Sequence, residues 1–263
     1  MKKIPCDNFD VAVIGGGPAG LMAAVTAAGT GASVILLEKN GDLGRKLLLT
    51  GNGRCNITNA ENDLHTLIRI FGEKGPFLFS GLSEFGPDDA IRYFHSLGLA
   101  TKTERGKRVF PLSDKSQDVL SCLIKKARET GVFIVRDTEV LRVTRKDHNK
   151  HTIIMRNGEI SSSRVIICTG DKSYPQTGST GDGYRLAKGL GHSITPLSPS
   201  IVPIKVRERW VKDLMGLTLK NCTLTAYLEG RKMEQRFGEM LFTHFGISGP
   251  IVMDMSNQLI EMM

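Results

Sequence analysis

The residues best suited to chemistry in this chain are three glycines, a proline and an acid. The apolar run Val11 to Ile14 leads into Gly15-Gly16-Gly17-Pro18-Ala19-Gly20, and Glu38 stands eighteen positions beyond the last of these glycines. A G-x-G-x-x-G turn between a strand and a helix, with an acid closing the next strand, binds dinucleotides. Gly15 allows the sharp turn off the strand, Gly17 lets the backbone approach a diphosphate, and Gly20 lets the helix pack closely on the sheet. The helix begins at Pro18, and its free N–H groups point at the phosphates. The Glu38 carboxylate accepts from both hydroxyls of an adenosine ribose and repels a 2′-phosphate. FAD or NAD therefore fits this pattern, and NADP does not.

A second cluster follows directly. Lys39 adjoins the acid, and residues 41–59 combine Gly44, Gly51 and Gly53 with Arg45, Lys46 and Arg54 and with Thr50, Asn52, Cys55 and Asn56. Such a glycine-rich loop can wrap phosphate, ribityl chain and ring edges together. Further on, Val165 to Gly170 is an apolar strand running into Thr169-Gly170, a flexible turn aimed at the ligand crevice. Gly178-Ser-Thr-Gly-Asp-Gly183 precedes a helix starting near Tyr184 and reads equally as a capping loop or an active-site loop. Val140 is placed for a backbone contact to adenine. No acid–base residue can be assigned; Tyr174 and His244 are the candidates.

These residues require a particular frame. Val11 to Ile14 and Ser33 to Leu37 read as buried parallel strands, and Leu21, Ala24, Val25 and Ala28 as the sheet-facing side of the helix between them. No charge occurs between Asp10 and Glu38. About 20 apolar residues would span a membrane, but Gly15 to Pro18 break the run in its middle, which favours the soluble reading. Residues 61–100 read as mainly helical, interrupted at Pro76 and Pro87, with Phe71, Phe77, Phe79, Phe85 and Phe94 in the core. Arg108 to Pro111 reads as extended, and Ser116 to Thr130 as an amphipathic helix capped by Gly131. Strands follow at 131–135, 139–144, 152–155 and 164–168, with Asn157-Gly158 as a hairpin turn. The strand at 132–135 is the third of the nucleotide-binding sheet. Prolines at 196, 199 and 203 mark a change to short alternating strands at 201–206, 217–228 and 232–237. The expected organisation is an α/β Rossmann-like domain with a parallel central sheet over 1–196 and a small β domain over 197–263.

Bulk composition narrows the function classes. The chain has 263 residues, 40% hydrophobic and 24% charged, as in ordinary globular proteins. Residues 1–9 carry no apolar secretory core. Cys6, Cys55, Cys122, Cys168 and Cys222 are far apart, so reduced thiols in a cytoplasmic protein are expected and no metal site is read. The formal charge is +8, but the basic residues are scattered and lack an aromatic platform, so no nucleic-acid or membrane partner is expected.

Taken together, Gly15 to Gly20, Gly44 to Asn59, Ser173 to Tyr184 and Leu241 to Pro250 resemble the YhiN-type bacterial flavoproteins, also called the BaiN/RdsA group. The resemblance covers essentially the whole chain. It implies FAD as cofactor, with NAD(P)H as transient electron donor. The implied activity is that of an oxidoreductase passing hydride through flavin to or from a small organic substrate. On this reading Gly15, Gly17 and Gly20 hold the pyrophosphate, and Pro18 and Ala19 between them are part of the cofactor site. Glu38 holds the ribose, Arg45, Lys46, Thr50, Gly51, Asn52, Gly53 and Arg54 line the flavin side, Thr169 and Gly170 approach the ring system, and Lys39, Cys55 and Asn56 also belong to the cofactor-binding set. Two departures from the family pattern stand out. Asp171 takes the place of a second glycine after Thr169-Gly170, and the sequence stops at Met263, before the family's closing strand–turn–helix. The inserted β domain is accordingly expected to be incomplete. A fragment that binds nucleotide weakly without turnover, and an NAD-dependent dehydrogenase without flavin, are the alternatives.

Overall fold

The computed structural model describes residues 8–147 and 149–262. Cys6 and most of the segment read for a secretory signal lie outside the described residues. The chain divides into two compact units, one up to Ile194 and one from Thr195 onward.

The first unit opens with β1 (Asn8–Ile14), α1 (Pro18–Gly29) and β2 (Val34–Leu37). The two strands pair in parallel, with Val13 opposite Leu36. Val13, Val34 and Leu36 pack into one core with Leu21, Ala24 and Val25 of α1, while Ala12, Ile14, Ile35 and Leu37 pack into a second. Burial on both faces explains the unbroken apolar run. Gly31, at φ +87°, ends the helix by donating its N–H to the Ala28 carbonyl at 3.0 Å.

Next come α2 (Arg45–Gly53), β3 (Thr58–Asn59), α3 (Leu64–Ile70), α4 (Phe79–Glu84) and α5 (Pro87–Ser96), with a 3₁₀ stretch at Gly72–Leu78. The strands β4 (Thr101–Glu104) and β5 (Arg108–Pro111) join β3 in a three-stranded sheet. The amphipathic α6 (Ser116–Glu129) packs Val119, Leu120 and Leu123 into the first core. The unit closes with β6 (Phe133–Val135), β7 (Val140–Asp147), β8 (Lys150–Met155), β9 (Gly158–Ile167) and α7 (Asp182–Gly189). The main sheet has the order β6-β2-β1-β9-β8-β7. Its first four strands run parallel, and β8 and β7 continue it antiparallel. The fold is thus α/β with a parallel central sheet, as the sequence predicts.

The second unit holds β10 (Ile204–Lys205), β11 (Thr218–Leu228), β12 (Arg231–Phe242), β13 (Gly246–Ser248) and α8 (Pro250–Met262). Its antiparallel sheet has the order β10-β13-β12-β11, over a core of Val211, Met240, Phe242, Ile251 and Val252.

Four local expectations are corrected. Of the five phenylalanines assigned to the core, only Phe94 is buried; Phe77 is 90% exposed, and Phe71, Phe79 and Phe85 are exposed as well. They lie on or beside helical pieces of six or seven residues, too short for a continuous apolar stripe, whereas Phe94 sits on the longer α5. The segment read as an open loop at 41–59 contains α2, because Leu47 enters the first core and draws one turn into a helix. The hairpin turn falls on Arg156-Asn157, since Gly158, at φ +128°, already pairs with Met155. Beyond the expected strands, the second unit ends in a helix, whose Ile251 and Val252 complete its core.

Candidate functional site

The carboxyl ends of β1, β2 and β9 meet around a cavity of about 310 Å³ within the first unit. This is the crevice where open α/β sheets take ligands. Its floor is built by backbone hydrogen bonds. Gly15 N–H donates to Leu37 O at 2.8 Å, Cys168 N–H to Ile14 O at 2.7 Å, and Gly44 N–H to Gly16 O at 3.0 Å.

The three fingerprint glycines differ in their surroundings. Gly15 has φ +107°, and a Cβ there would lie 2.4 Å from Cys168 O. A Cβ on Gly20 would lie 1.8 Å from Gly15 O, which shows how closely α1 approaches the turn. A Cβ on Gly17 would meet nothing within 4 Å, and Gly17 lines the cavity together with Pro18 and Ala19. A backbone left bare on its open side, at the start of a helix, suits a diphosphate.

Glu38 is 7% exposed and closes β2. Its Oε2 accepts from Gly16 N–H at 2.7 Å, and its Oε1 accepts from the backbone N–H and side-chain amide of Asn40 at 2.8 and 2.7 Å. These three donors hold the carboxylate at the cavity wall; Oε1 accepts two of them, and Oε2, with one, keeps a further lone pair for a ribose hydroxyl.

Charge is arranged in pairs. Lys39 Nζ donates to Asp182 Oδ2 at 2.6 Å and to Thr180 Oγ1 at 2.8 Å. Lys46 Nζ donates to Asp171 Oδ1 at 2.6 Å and to Ser173 Oγ at 3.1 Å. Arg45 reaches Asn40 Oδ1 at 3.3 Å and Asp42 Oδ2 at 3.6 Å. Burial opposes ionisation of Asp171 and Asp182, but their lysines and hydroxyl partners outweigh it and hold both carboxyls below the ordinary value.

Of the sequence-predicted residues, Gly15, Gly17, Pro18, Ala19, Glu38, Lys39, Arg45, Lys46, Val140, Thr169 and Gly170 line this cavity. Gly20 stands behind it against Gly15. Thr50, Gly51, Asn52, Gly53, Arg54, Cys55 and Asn56 are outside its lining and form an adjoining turn. There Gly51 and Asn52 are both left-handed and Cys55 has φ +63°. Arg54 anchors the turn by donating to Glu104 at 2.9 Å and Asp114 at 3.3 Å, with its guanidinium 4.0 Å from the Phe110 ring centre. Two non-glycine residues, Asn52 and Cys55, held at positive φ within this short turn mark a segment whose shape is imposed by its surroundings. Tyr174 is 59% exposed and left-handed, and His244 is an exposed residue of the second unit.

Sequence reasoning missed Asn40, which orients Glu38, and Thr177; of the Gly178 to Gly183 segment, read equally as a capping or an active-site loop, Gly178, Ser179 and Asp182 line the cavity. The glycine spacing at 178–183 was the available signal. Gly170 and Gly178 are left-handed, and a Cβ on either would press on Ser179 or Asn40, so this segment folds tightly onto the cavity wall.

The family model for the HI0933-like protein Rossmann domain matches residues 9–254. The chain is 34% identical over 252 residues to a 3-dehydro-bile acid delta(4,6)-reductase of Clostridium scindens, covering 95% of this chain and 60% of that protein. It is 27% identical to a ribosomal RNA dihydrouridine synthase of Escherichia coli, covering 95% and 61%. A protein of the same description from Haemophilus influenzae is 30% identical, covering 93% and 60%. The chain thus spans about three fifths of the length of these relatives. Among solved structures, a flavocytochrome c3 fumarate reductase in its open conformation matches with a TM-score of 0.60 at 19% identity, over 82% of this chain and 48% of that one. This last likeness concerns the fold. Among the described residues, no helix is long and apolar enough to cross a membrane, and no group of His, Cys, Asp and Glu could hold a metal.

Proposed function

Starting from a chain that belongs to the HI0933-like family, we propose that the protein is the FAD-binding part of an oxidoreductase that adds two hydrogens across a carbon–carbon double bond. The observation that carries the FAD-binding part of this reading is the bare face of Gly17 at the helix start, lining the same cavity as the fixed Glu38 carboxylate. The residues fit a dinucleotide at both ends. N–H groups at the start of α1 hold a diphosphate, and Glu38 holds a ribose. Val140, at the first residue of β7, offers backbone groups to adenine.

When bound, the flavin supplies reversible hydride chemistry. The chain's own part is to bind, orient and shield. Thr169 and Gly170, following β9, and Lys46, on α2, line the same cavity as Val140. The turn at Gly51 to Cys55 follows Lys46 in the chain through α2. NAD(P)H as electron donor belongs to the same proposal. The relatives' names describe saturation of a sterol-like ring and of uridine in RNA, and both substrates contain an unsaturated bond that a hydride donor can reduce. A small unsaturated organic molecule remains the substrate class proposed here. The two relatives named for ribosomal RNA support the second class, an RNA uridine.

The test is to mix the purified 263-residue chain with FAD, remove free ligand, and record the visible spectrum. Retained flavin absorbance supports the reading. A colourless protein that refuses FAD yet binds NAD overturns it. Reduction of the bound flavin by NADH or NADPH, followed by reoxidation with an enone or with a uridine-containing RNA, then separates the substrate classes.

A further inference from the structure

The cavity presents an unexpected balance of charge. Lys39, Arg45 and Lys46 are the cations of its lining, and Glu38, Asp42, Glu139 and Asp182 are the carboxylates. Each of the three cations lies within 4 Å of a carboxylate. The Lys46 partner, Asp171, is held in place before the lysine reaches it. Ser173 N–H donates to Asp171 Oδ1 at 3.0 Å, and the Ser173 hydroxyl donates to Oδ1 and Oδ2 at 2.8 and 3.0 Å. This closed turn holds the carboxylate next to Gly170, which lines the cavity. The lysine comes from α2, so the ion pair ties α2 to the segment that follows β9.

We propose that Asp171 is a specificity-determining residue that neutralises Lys46 and so lowers the affinity of the cavity for phosphate-bearing dinucleotides. The proposal rests on the dinucleotide reading of this cavity. A diphosphate carries about two negative charges and competes with the Asp171 carboxylate for the same ammonium. A like charge held within a few ångströms opposes it at the effective dielectric of a protein surface. The N–H groups at the start of α1 are left as the main attraction. A ligand without phosphate does not sense the pair.

Asp171 is exposed, with 55% of its side chain accessible, so replacing it leaves the core untouched. The test measures binding of ADP, FAD and adenosine by calorimetry to the wild-type chain, Asp171→Asn, Lys46→Met and the double variant, at two salt concentrations. Asp171→Asn is expected to tighten ADP and FAD by roughly 3- to 10-fold, to steepen their salt dependence, and to leave adenosine unchanged. On the Lys46→Met background the same change is expected to tighten ADP by less than twofold. ADP affinity that is unchanged or weaker in Asp171→Asn overturns the proposal, because Asp171 then positions Lys46 for the phosphate. A gain that persists without Lys46 also overturns it. If neither ADP nor FAD binds to any of the four proteins, the dinucleotide reading falls and takes this inference with it. If wild type binds FAD and only the order of the variants fails, the dinucleotide reading stands.

Discussion

Gly17→Ala separates ligand binding from folding. The added methyl meets no atom of the protein within 4 Å, and Gly17 has φ −77° and ψ −178°, which alanine adopts without strain. Alanine lowers the entropy of the unfolded chain, contributing about 0.4–1 kcal/mol of stability. It is a poorer N-cap than glycine by an amount of the same order, about 0.5–1 kcal/mol. The two terms nearly cancel, and at about 2–4 °C per kcal/mol the melting temperature moves by only ~2 °C. The ligand has no such freedom. A phosphate oxygen accepting from the start of α1 sits about 2.9 Å from the backbone nitrogen, in the space that the methyl takes. Losing one or two charge-assisted hydrogen bonds at about 1.5–3 kcal/mol each weakens binding by roughly 2–4 kcal/mol. That is about a 30- to 1000-fold rise in Kd for FAD. Thermal denaturation of the ligand-free chain and a flavin fluorescence titration measure the two effects on one preparation. An unchanged melting curve with unchanged FAD affinity refutes the placement of the diphosphate. A large fall in melting temperature refutes the argument that the Gly17 face is open.

Gly20→Ala is the structural counterpart. Its Cβ would stand 1.8 Å from Gly15 O, so overpacking costs roughly 3 kcal/mol and lowers the melting temperature by about 6–12 °C, read by differential scanning calorimetry. Glu38→Ala removes an acceptor shared by Gly16 and Asn40 in a buried position; stability falls by about 2–4 kcal/mol in urea titrations, and FAD affinity falls as well. Burial pushes the Cys122 thiol from 9.0 up to about 11. The folded value lies above the unfolded one, so this stability is fully present below pH 9 and is lost as the pH rises through about 11. The shift corresponds to about 2.7 kcal/mol at most, and to ~1 kcal/mol after discounting for the thiol's partial exposure. Cys122→Ser should therefore flatten the melting temperature between these pH values. Alkylation of Cys122 at pH 8 should be slow, with about one thiol in a thousand ionised.

What the sequence discloses and what it conceals differ in physical kind. The roles of Gly15, Gly17 and Gly20 were legible because each is set within a few residues of backbone: a positive φ, an open face, a close approach. The continuous burial of β1 and β2 was legible because two-sided packing leaves an unbroken apolar run. The five phenylalanines were misjudged because hydrophobicity reports what a residue favours, whereas helix length decides whether a stripe exists to bury it. The ion pairs were not legible at all. Lys39 and Asp182 are 143 positions apart, and Lys46 and Asp171 are 125 apart; no spacing rule acts over such distances. A basic cluster beside a phosphate-binding turn reads in one dimension as attraction. Folded, the same lysines meet carboxylates brought by the segment after β9 before a ligand arrives. On the proposed reading, the motif decides where a diphosphate lies, and the long-range pairing sets how strongly it is held there.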